Sequence, residues 1–485
     1  MDLQQLKPSR EHTAPIYLQL YQRYREAIAK GKLRAGDRVP SVRSLASELN
    51  LARGTVEMAY QMLVGEGYFI TRGAAGTRVA PGLCKLSGSA QINLEQAAPS
   101  PQQKQDPRTE LPPFRLGLPA LDAFPRKTWA RLAARHLRGL DNPAMITPPP
   151  AGHTQLRRAI ATYLGISRGI NCSHEQVFVT NGYRGALDLV CRTLLRPGDL
   201  GWYEDPGYLH ARQCLEHLGM RLQPVAVDRD GLDVAQGRRL AAQARFAVVT
   251  PTHQSPMGVA LSLQRRLDLL DWAMGADAWI VEDDYDSEFR YHGRPLPALK
   301  SLDREGRVLY TGTFSKVLYP GLRLAYLVVP ISQVERFNHS ACHLPGPGAI
   351  APQATVAQFM EQGHFARHLN KMRKLYASRR GYLVDALQER LGTRLSVQQQ
   401  AGGIHVLAHI LDATDERLLA SSARAEGMAL HALGEWRAQP SPEQGLLMGF
   451  ANFICAEDAI AAVSQLEAVW KALDDTGRVK THRNK

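Results

Sequence analysis

The sequence predicts an α/β protein in two parts: a small helical module with a strand hairpin, then a large domain built on a mainly parallel sheet. Three observations carry this. Basic residues concentrate before residue 80, a proline- and glutamine-rich stretch follows, and short β-branched runs then alternate with helical segments. At 485 residues the chain is about three times the roughly 150 residues of a typical domain. Hydrophobic residues at 44% and charged residues at 22% exclude a disordered or collagen-like chain. No apolar run approaches the ~20 residues that span a bilayer, and the start MDLQQLKPSR lacks the apolar core of a signal peptide. Six cysteines (Cys84, Cys172, Cys191, Cys214, Cys342 and Cys455) are scattered without a CxxC pair, which excludes a zinc ribbon or disulfide scaffold. A soluble cytoplasmic chain with no membrane partner is expected.

The net charge of +13 divides unevenly. Residues 1–80 hold twelve Lys and Arg against seven Asp and Glu, a net +5, leaving +8 for the rest. Such a basic face fits either phosphate binding or a solvated surface. Within this module, IYLQLYQRYREAIAK (16–30) places apolar residues at helical spacing before GKL breaks it. Pro40-Ser41 then opens a short helix with Ser41 as N-cap and Leu45 and Leu49 inward. A third helix in LARGTVEMAYQMLVGEGY buries Val56, Ala59, Tyr60 and Leu63, and YFITRGAAGTRVA alternates around a glycine turn. Three helices and a hairpin over residues 12–80 make a winged helix-turn-helix. Arg43, Arg53 and Thr55 stand near helix N-termini, off the apolar stripe, where they can reach phosphates or base edges of double-stranded DNA. Ser41 completes the candidate DNA contacts. A winged helix that binds protein instead, with solvated arginines, is the alternative.

Residues 81–112, rich in Pro, Gln and Ser without period, read as an extended linker. The large domain is expected over 113–475, with a basic tail at 476–485. Its chemistry should gather at the carboxyl ends of strands. Lys316 follows the apolar strand of VLYTGTFSK, and Asp283 sits in WIVEDDYDSEF, where four carboxylates fall within five residues. Clustered acids also fit a solvated loop or a metal site, but no histidine-rich partner lies at ligand spacing and no metal is expected. The loop THQSPMG (252–258) carries His253, VFVTNGYRGALDLV is a strand, glycine turn and helix, and EDPGY (204–208) offers an aromatic ring.

A pyridoxal 5′-phosphate site needs each of these parts. Lys316 would be the Schiff-base lysine, Asp283 the partner of the pyridinium nitrogen, and Tyr208 the stacking ring. Tyr285 would donate to the ring's phenolic oxygen, and His253 would be a further cofactor-binding residue. Gly182, Tyr183 and Arg184 would cradle the phosphate at a helix N-terminus, joined by Thr313, Ser315 and Arg323.

The first module resembles the GntR-type winged helix over nearly its full length, on GxLxxGxxxPSxRxLA, R-x-TV-x-x-AY-x-x-L and EGY…GTxV; Ala52 departs, where a serine is common. From about residue 113 to 475 the chain resembles fold-type I aminotransferases, with a large parallel-sheet subdomain and a small α/β subdomain. The run EDDYDSEF…TGTFSK…PGLR, with TPTHQSPMG and EDPGY, resembles more closely the MocR/GabR family of bacterial regulators, in which the two modules are fused. The resemblance implies that Arg437 in LGEWRAQ holds an effector's carboxylate, a task that suits a guanidinium fork. Arg184 stands where relatives often have Gln, and His210 and Arg212 lie where some carry a second carboxylate-binding arginine.

The expected function is a transcriptional regulator, homodimeric, that binds an operator and senses an amino acid, an amine or pyridoxal phosphate itself. A catalytically active aminotransferase carrying a DNA-binding arm is the alternative, because turnover needs a proton relay and product release that motifs do not reveal.

Overall fold

A computed structural model describes residues 7–8, 14–73, 76–81, 111–140, 142, 145–146, 148–291 and 296–483, with side chains described as far as residue 475. Two compact units result, 1–107 and 108–485. Nearly all of the expected linker lies outside the described residues.

In the first unit, α1 (Ile16–Ala29), α2 (Val42–Leu49) and α3 (Arg53–Gly65) precede the hairpin of β1 (Phe69–Thr71) and β2 (Thr77–Val79). Ser41 Oγ accepts the Ser44 amide at 3.1 Å, so this hydroxyl caps α2, and Asn50 closes the helix in the left-handed region. The stripe Val56, Ala59, Tyr60 and Leu63 of α3 is buried, as its spacing requires. Tyr24, Tyr60 and Phe69 meet edge to face with centroids 5.2–5.7 Å apart, locking α1, α3 and the wing together. Tyr60 donates to the Pro40 carbonyl at 2.9 Å, which satisfies the hydroxyl inside this core.

The second unit opens with α4 (Arg126–Arg138) and α5 (Thr154–Arg168). A large α/β part follows: β3 (Val177–Thr180), α6 (Tyr183–Leu194), β4 (Leu200–Asp205), α7 (Leu209–His217), β5 (Arg221–Asp228), β6 (Gly231–Leu232), α8 (Val234–Ala241), β7 (Phe246–Val249), α9 (Leu263–Gly275), β8 (Trp279–Asp284), β9 (Val308–Thr313) and β10 (Ala325–Val328). The eight strands form one sheet in the order β3-β10-β9-β8-β7-β4-β5-β6. The pairs β9/β8, β8/β7, β7/β4 and β4/β5 are parallel, whereas β10 runs antiparallel to both β9 and β3. The sheet is therefore mixed. Only residues 314–324 join β9 to β10, and they hold no α-helix, so the chain returns without the crossover that parallel pairing demands. Because β3 opposes β10, the carboxyl ends of β3, β4, β7, β8 and β9 share one edge, where α/β sheets bind ligands.

Helices α10 (Val334–His343), α11 (Ile350–Glu361) and α12 (His364–Leu391) lead to a second sheet. It comprises β11 (Leu395–Val397), β12 (His405–Ile410), β13 (His431–Ala432) and β14 (Gly445–Gly449), ordered β11-β12-β14-β13 and wholly antiparallel. With α13 (Glu416–Ala425) and α14 (Ala456–Arg483) it forms the small subdomain. The backbone of α14 runs helical into the basic terminal segment. One apolar core is continuous from Val179 and Phe314 in the large part to Leu387, Phe450 and Trp470 in the small one.

Candidate functional site

Lys316 lies in the loop after β9 with its amine buried. Burial pushes the amine below its usual range, while Asp286 and then Asp283 pull it back. Nζ donates to the Gly117 carbonyl at 2.8 Å. Gly117 has φ +75°, and a Cβ there would stand 2.6 Å from Nζ, so only glycine leaves the amine its place. A buried amine of lowered pKa is a nucleophile in waiting.

Strand alternation turns Asp283 away from Glu282 and Asp284, so that it and Asp286, beyond the end of β8, are the acids of the run that act on Lys316. Glu282 accepts the amides of Leu299 and Lys300, both at 2.8 Å. Asp284 pairs with buried Arg168 at 3.0 Å and accepts Tyr310 Oη at 2.6 Å. Asp286 accepts from His253 Nδ1 at 3.0 Å. Burial raises the Asp283 carboxyl to about 8, opposed by the Tyr183 hydroxyl beside it and reinforced by Asp284, Glu204 and Asp286.

Around it stand the other predicted residues. Tyr285 Oη lies 3.0 Å from His253 Nδ1, and burial pushes its phenol well up while Ser255 hydrogen-bonds to it. His253 Nε2 is buried without a hydrogen-bond partner among the described residues. Tyr208 precedes α7, half-buried, with its ring 6.4 Å from Tyr183 and 5.8 Å from Trp436; burial and Asp283 both raise its phenol. Gly182, at φ +76°, opens α6, so the first amides of that helix are free to face an anion. The Arg323 guanidinium carbon lies 3.6 Å from where a Gly182 Cβ would be, bringing a cation to the same spot. Thr313 Oγ1 accepts the Ser315 amide at 3.1 Å and shapes this turn. Arg184 follows in the first turn of α6, near enough to Tyr208 to lower its phenol.

Arg437 lies on a segment fastened to the end of β4. Asp205 accepts the amides of Ala438 at 2.8 Å and Gln439 at 3.0 Å, and the Gly207 amide donates to the Trp436 carbonyl at 3.2 Å. Its guanidinium is paired with Glu443. His210 is exposed, its ring 5.6 Å from Tyr208, and Arg212 is half-buried on α7. In the first unit Ser41, Arg43 and Arg53 are exposed and Thr55 is half-buried.

Four further contributors are not marked as site residues by the sequence. Gly117 is 199 residues from Lys316 and is ordinary in PFRLGLP. Ser255 was inside THQSPMG, but only the Tyr285 contact singles it out. Glu204 accepts the Thr250 amide at 3.1 Å, Thr250 Oγ1 at 2.5 Å and Gln254 Nε2 at 3.1 Å, so it ties the 252–258 loop to β4. Gln254 also donates to the Pro206 carbonyl at 2.9 Å. The doublet Glu204-Asp205 in EDPGY was the available signal, with both carboxylates bracing loops.

Comparison with known proteins places each part of the chain in a family. Residues 119–435 match the family described as aminotransferase class I and II, and residues 16–79 match the bacterial regulatory proteins of the gntR family. The chain is 36% identical to the probable rhizopine catabolism regulatory protein MocR of Rhizobium meliloti over 98% of this chain and 97% of that one. It is 33% identical to the pyridoxine biosynthesis transcriptional regulator PdxR of Corynebacterium glutamicum, covering 90% and 92%. A solved Pyrococcus horikoshii kynurenine aminotransferase matches at TM-score 0.68 and 26% identity over 75% of this chain and 92% of its own. Fold and relatives define a transcriptional regulator that joins a DNA-binding winged helix to a fold-type I aminotransferase domain. The chain belongs to the MocR/GabR family of such regulators.

Proposed function

We propose that the aminotransferase-like domain holds pyridoxal 5′-phosphate on Lys316 and reports a small amino compound to the winged helices of a cytoplasmic homodimer. The observation that carries this is the Lys316 amine, pushed below its usual range by burial, standing close enough to buried Asp283 to feel its charge, while burial raises the Asp283 carboxyl. The remaining groups fit the same cofactor: the α6 amides and Arg323 suit a phosphate, Tyr208 a ring face, and Tyr285 a phenolic oxygen. When bound, the cofactor supplies an electrophilic carbonyl carbon conjugated to an electron-withdrawing ring. Lys316 provides the amine that retains it, and an effector amine competes for that place. Asp283 balances the ring-nitrogen charge, while Asp286 orients His253 against Tyr285. Arg437 would hold an effector's carboxylate, and the effector acts only by binding two conformations unequally.

To test this, the full chain loaded with pyridoxal phosphate is reduced with borohydride and its peptides are mapped. The added mass should fall on the Lys316 peptide; its absence, or labelling elsewhere, rejects the assignment.

Paired winged helices in a dimer would read two half-sites. Arg43→Ala should weaken DNA binding about five-fold and lower the salt dependence by roughly one ion, as for a lost phosphate contact. Cofactor content should not change. Anisotropy titrations at several salt concentrations, on DNA that the protein selects from a random pool, would show it, and unaltered affinity removes Arg43 from the interface.

A further inference from the structure

Arg437 already has a partner. Glu443 stands six residues on in the same loop, before β14, and its carboxylate binds an Arg437 terminal nitrogen. The arginine side chain is 13% exposed and the glutamate 40%, so the carboxylate comes to the guanidinium from the open side. Arg437 Nε is buried without a hydrogen-bond partner among the described residues. Only one guanidinium nitrogen therefore engages Glu443, whereas the planar fork can hold a carboxylate by two parallel bonds. Behind Glu443 the contacts continue. His409 Nδ1 lies 3.5 Å from Glu443 Oε1, His409 Nε2 lies 3.2 Å from Gln398 Oε1, and Gln398 Nε2 donates to the Met257 carbonyl at 3.0 Å. Met257 belongs to the loop that carries His253 and Ser255.

We propose that Glu443 is a tethered stand-in for the effector's carboxylate, neutralising Arg437 until an incoming amino acid displaces it. This rests on Arg437 as the carboxylate-binding residue. A charged guanidinium so far out of solvent is costly unless paired, and Glu443 removes that cost in the effector-free protein. The same tether makes the site selective. A carboxylate able to take both edges of the fork outcompetes it, whereas a compound with an amine and no carboxylate leaves it in place. The effector class is thus an amino acid rather than a simple amine. Displacing Glu443 also frees His409, which joins the exchange at Arg437 to the 252–258 loop beside the cofactor residues.

Two probes separate the contributions: L-alanine and ethylamine share an amine and differ in the carboxylate. Each is titrated into the cofactor-loaded full chain and followed by visible absorbance. Removing a half-exposed internal competitor, Glu443→Gln should tighten L-alanine about five-fold and leave ethylamine unchanged. Arg437→Ala should weaken L-alanine alone, and adding Glu443→Gln to it should change nothing further. If Glu443→Gln leaves L-alanine binding unchanged, or shifts both probes equally, the tether is wrong. If Arg437→Ala leaves the difference between the probes intact, it is the carboxylate role of Arg437 that fails. Thermal melting of each variant shows that the fold is kept.

Discussion

Lys316→Ala is expected to abolish covalent retention of pyridoxal phosphate while the chain still folds. Gel filtration would leave no visible absorbance on the protein, and borohydride would fix no cofactor mass. The fold should survive because the deleted group is a buried amine with one hydrogen bond, to Gly117, and not part of the apolar core. Its removal relieves a desolvated cation instead of opening a gap in packed hydrocarbon. Cofactor mass retained after reduction would place the attachment on another lysine. DNA binding without effector should persist in this variant, since the winged helix has its own core of Tyr24, Tyr60, Phe69 and their neighbours.

The second large effect concerns Asp283, in two opposite directions. With cofactor present, Asp283→Asn leaves the ring nitrogen without its counter-charge in a buried site. Affinity should fall about a hundred-fold, the scale of roughly 3 kcal/mol for breaking one side of a buried pair. Equilibrium dialysis against pyridoxal phosphate would measure it, and an unchanged affinity removes Asp283 from the ring nitrogen. Without cofactor the same change should stabilise the chain at alkaline pH. Burial holds Asp283 at about 8, against an ordinary value of 3.8, and Glu204 and Glu282 at about 7, against 4.5. The folded chain then binds more protons than the unfolded chain between these values. These three groups therefore cost nothing below pH 3.8 and progressively more as the pH climbs to about 8. Asp283→Asn deletes the largest share, on the order of a few kcal/mol at pH 8. Urea unfolding of the cofactor-free chain at pH 5 and pH 8 should show a shallower pH dependence in the variant. An equally steep decline in both proteins would contradict it.

The parts of this site that local sequence can express were legible in advance. A glycine turn between β3 and α6, an acid at the end of β8 and a lysine in the loop after β9 are each contained within a dozen residues. Hydrophobic spacing likewise gave the three helices, whose stripes are set by residues three and four apart, and alternation about a glycine turn gave the wing. What escaped depends on distant chain segments meeting. Nothing around Gly117 marks it as the acceptor of Lys316, and the role of Glu204 emerges only when β7 lies beside β4. Alternation along β8 separates Asp283 from Glu282 and Asp284, but the partners of Glu282, Asp284 and Asp286 come from distant segments that the sequence does not mark. The inversion of β10 followed from connection length and not from its composition, which resembles that of its parallel neighbours. The Ser41 hydroxyl caps α2 and the residue is exposed.

Occupancy of the aminotransferase-like site is expected to change affinity for DNA. The most direct measurement follows both quantities in one titration: visible absorbance of the cofactor-loaded full chain and its affinity for DNA it has selected, across a panel of amino acids and amines. One amino acid is expected to move the absorbance and the DNA affinity over the same concentration range, and Lys316→Ala should show neither change. Absorbance that cycles while a keto acid accumulates, with DNA affinity unmoved, would contradict it and make the domain an enzyme first.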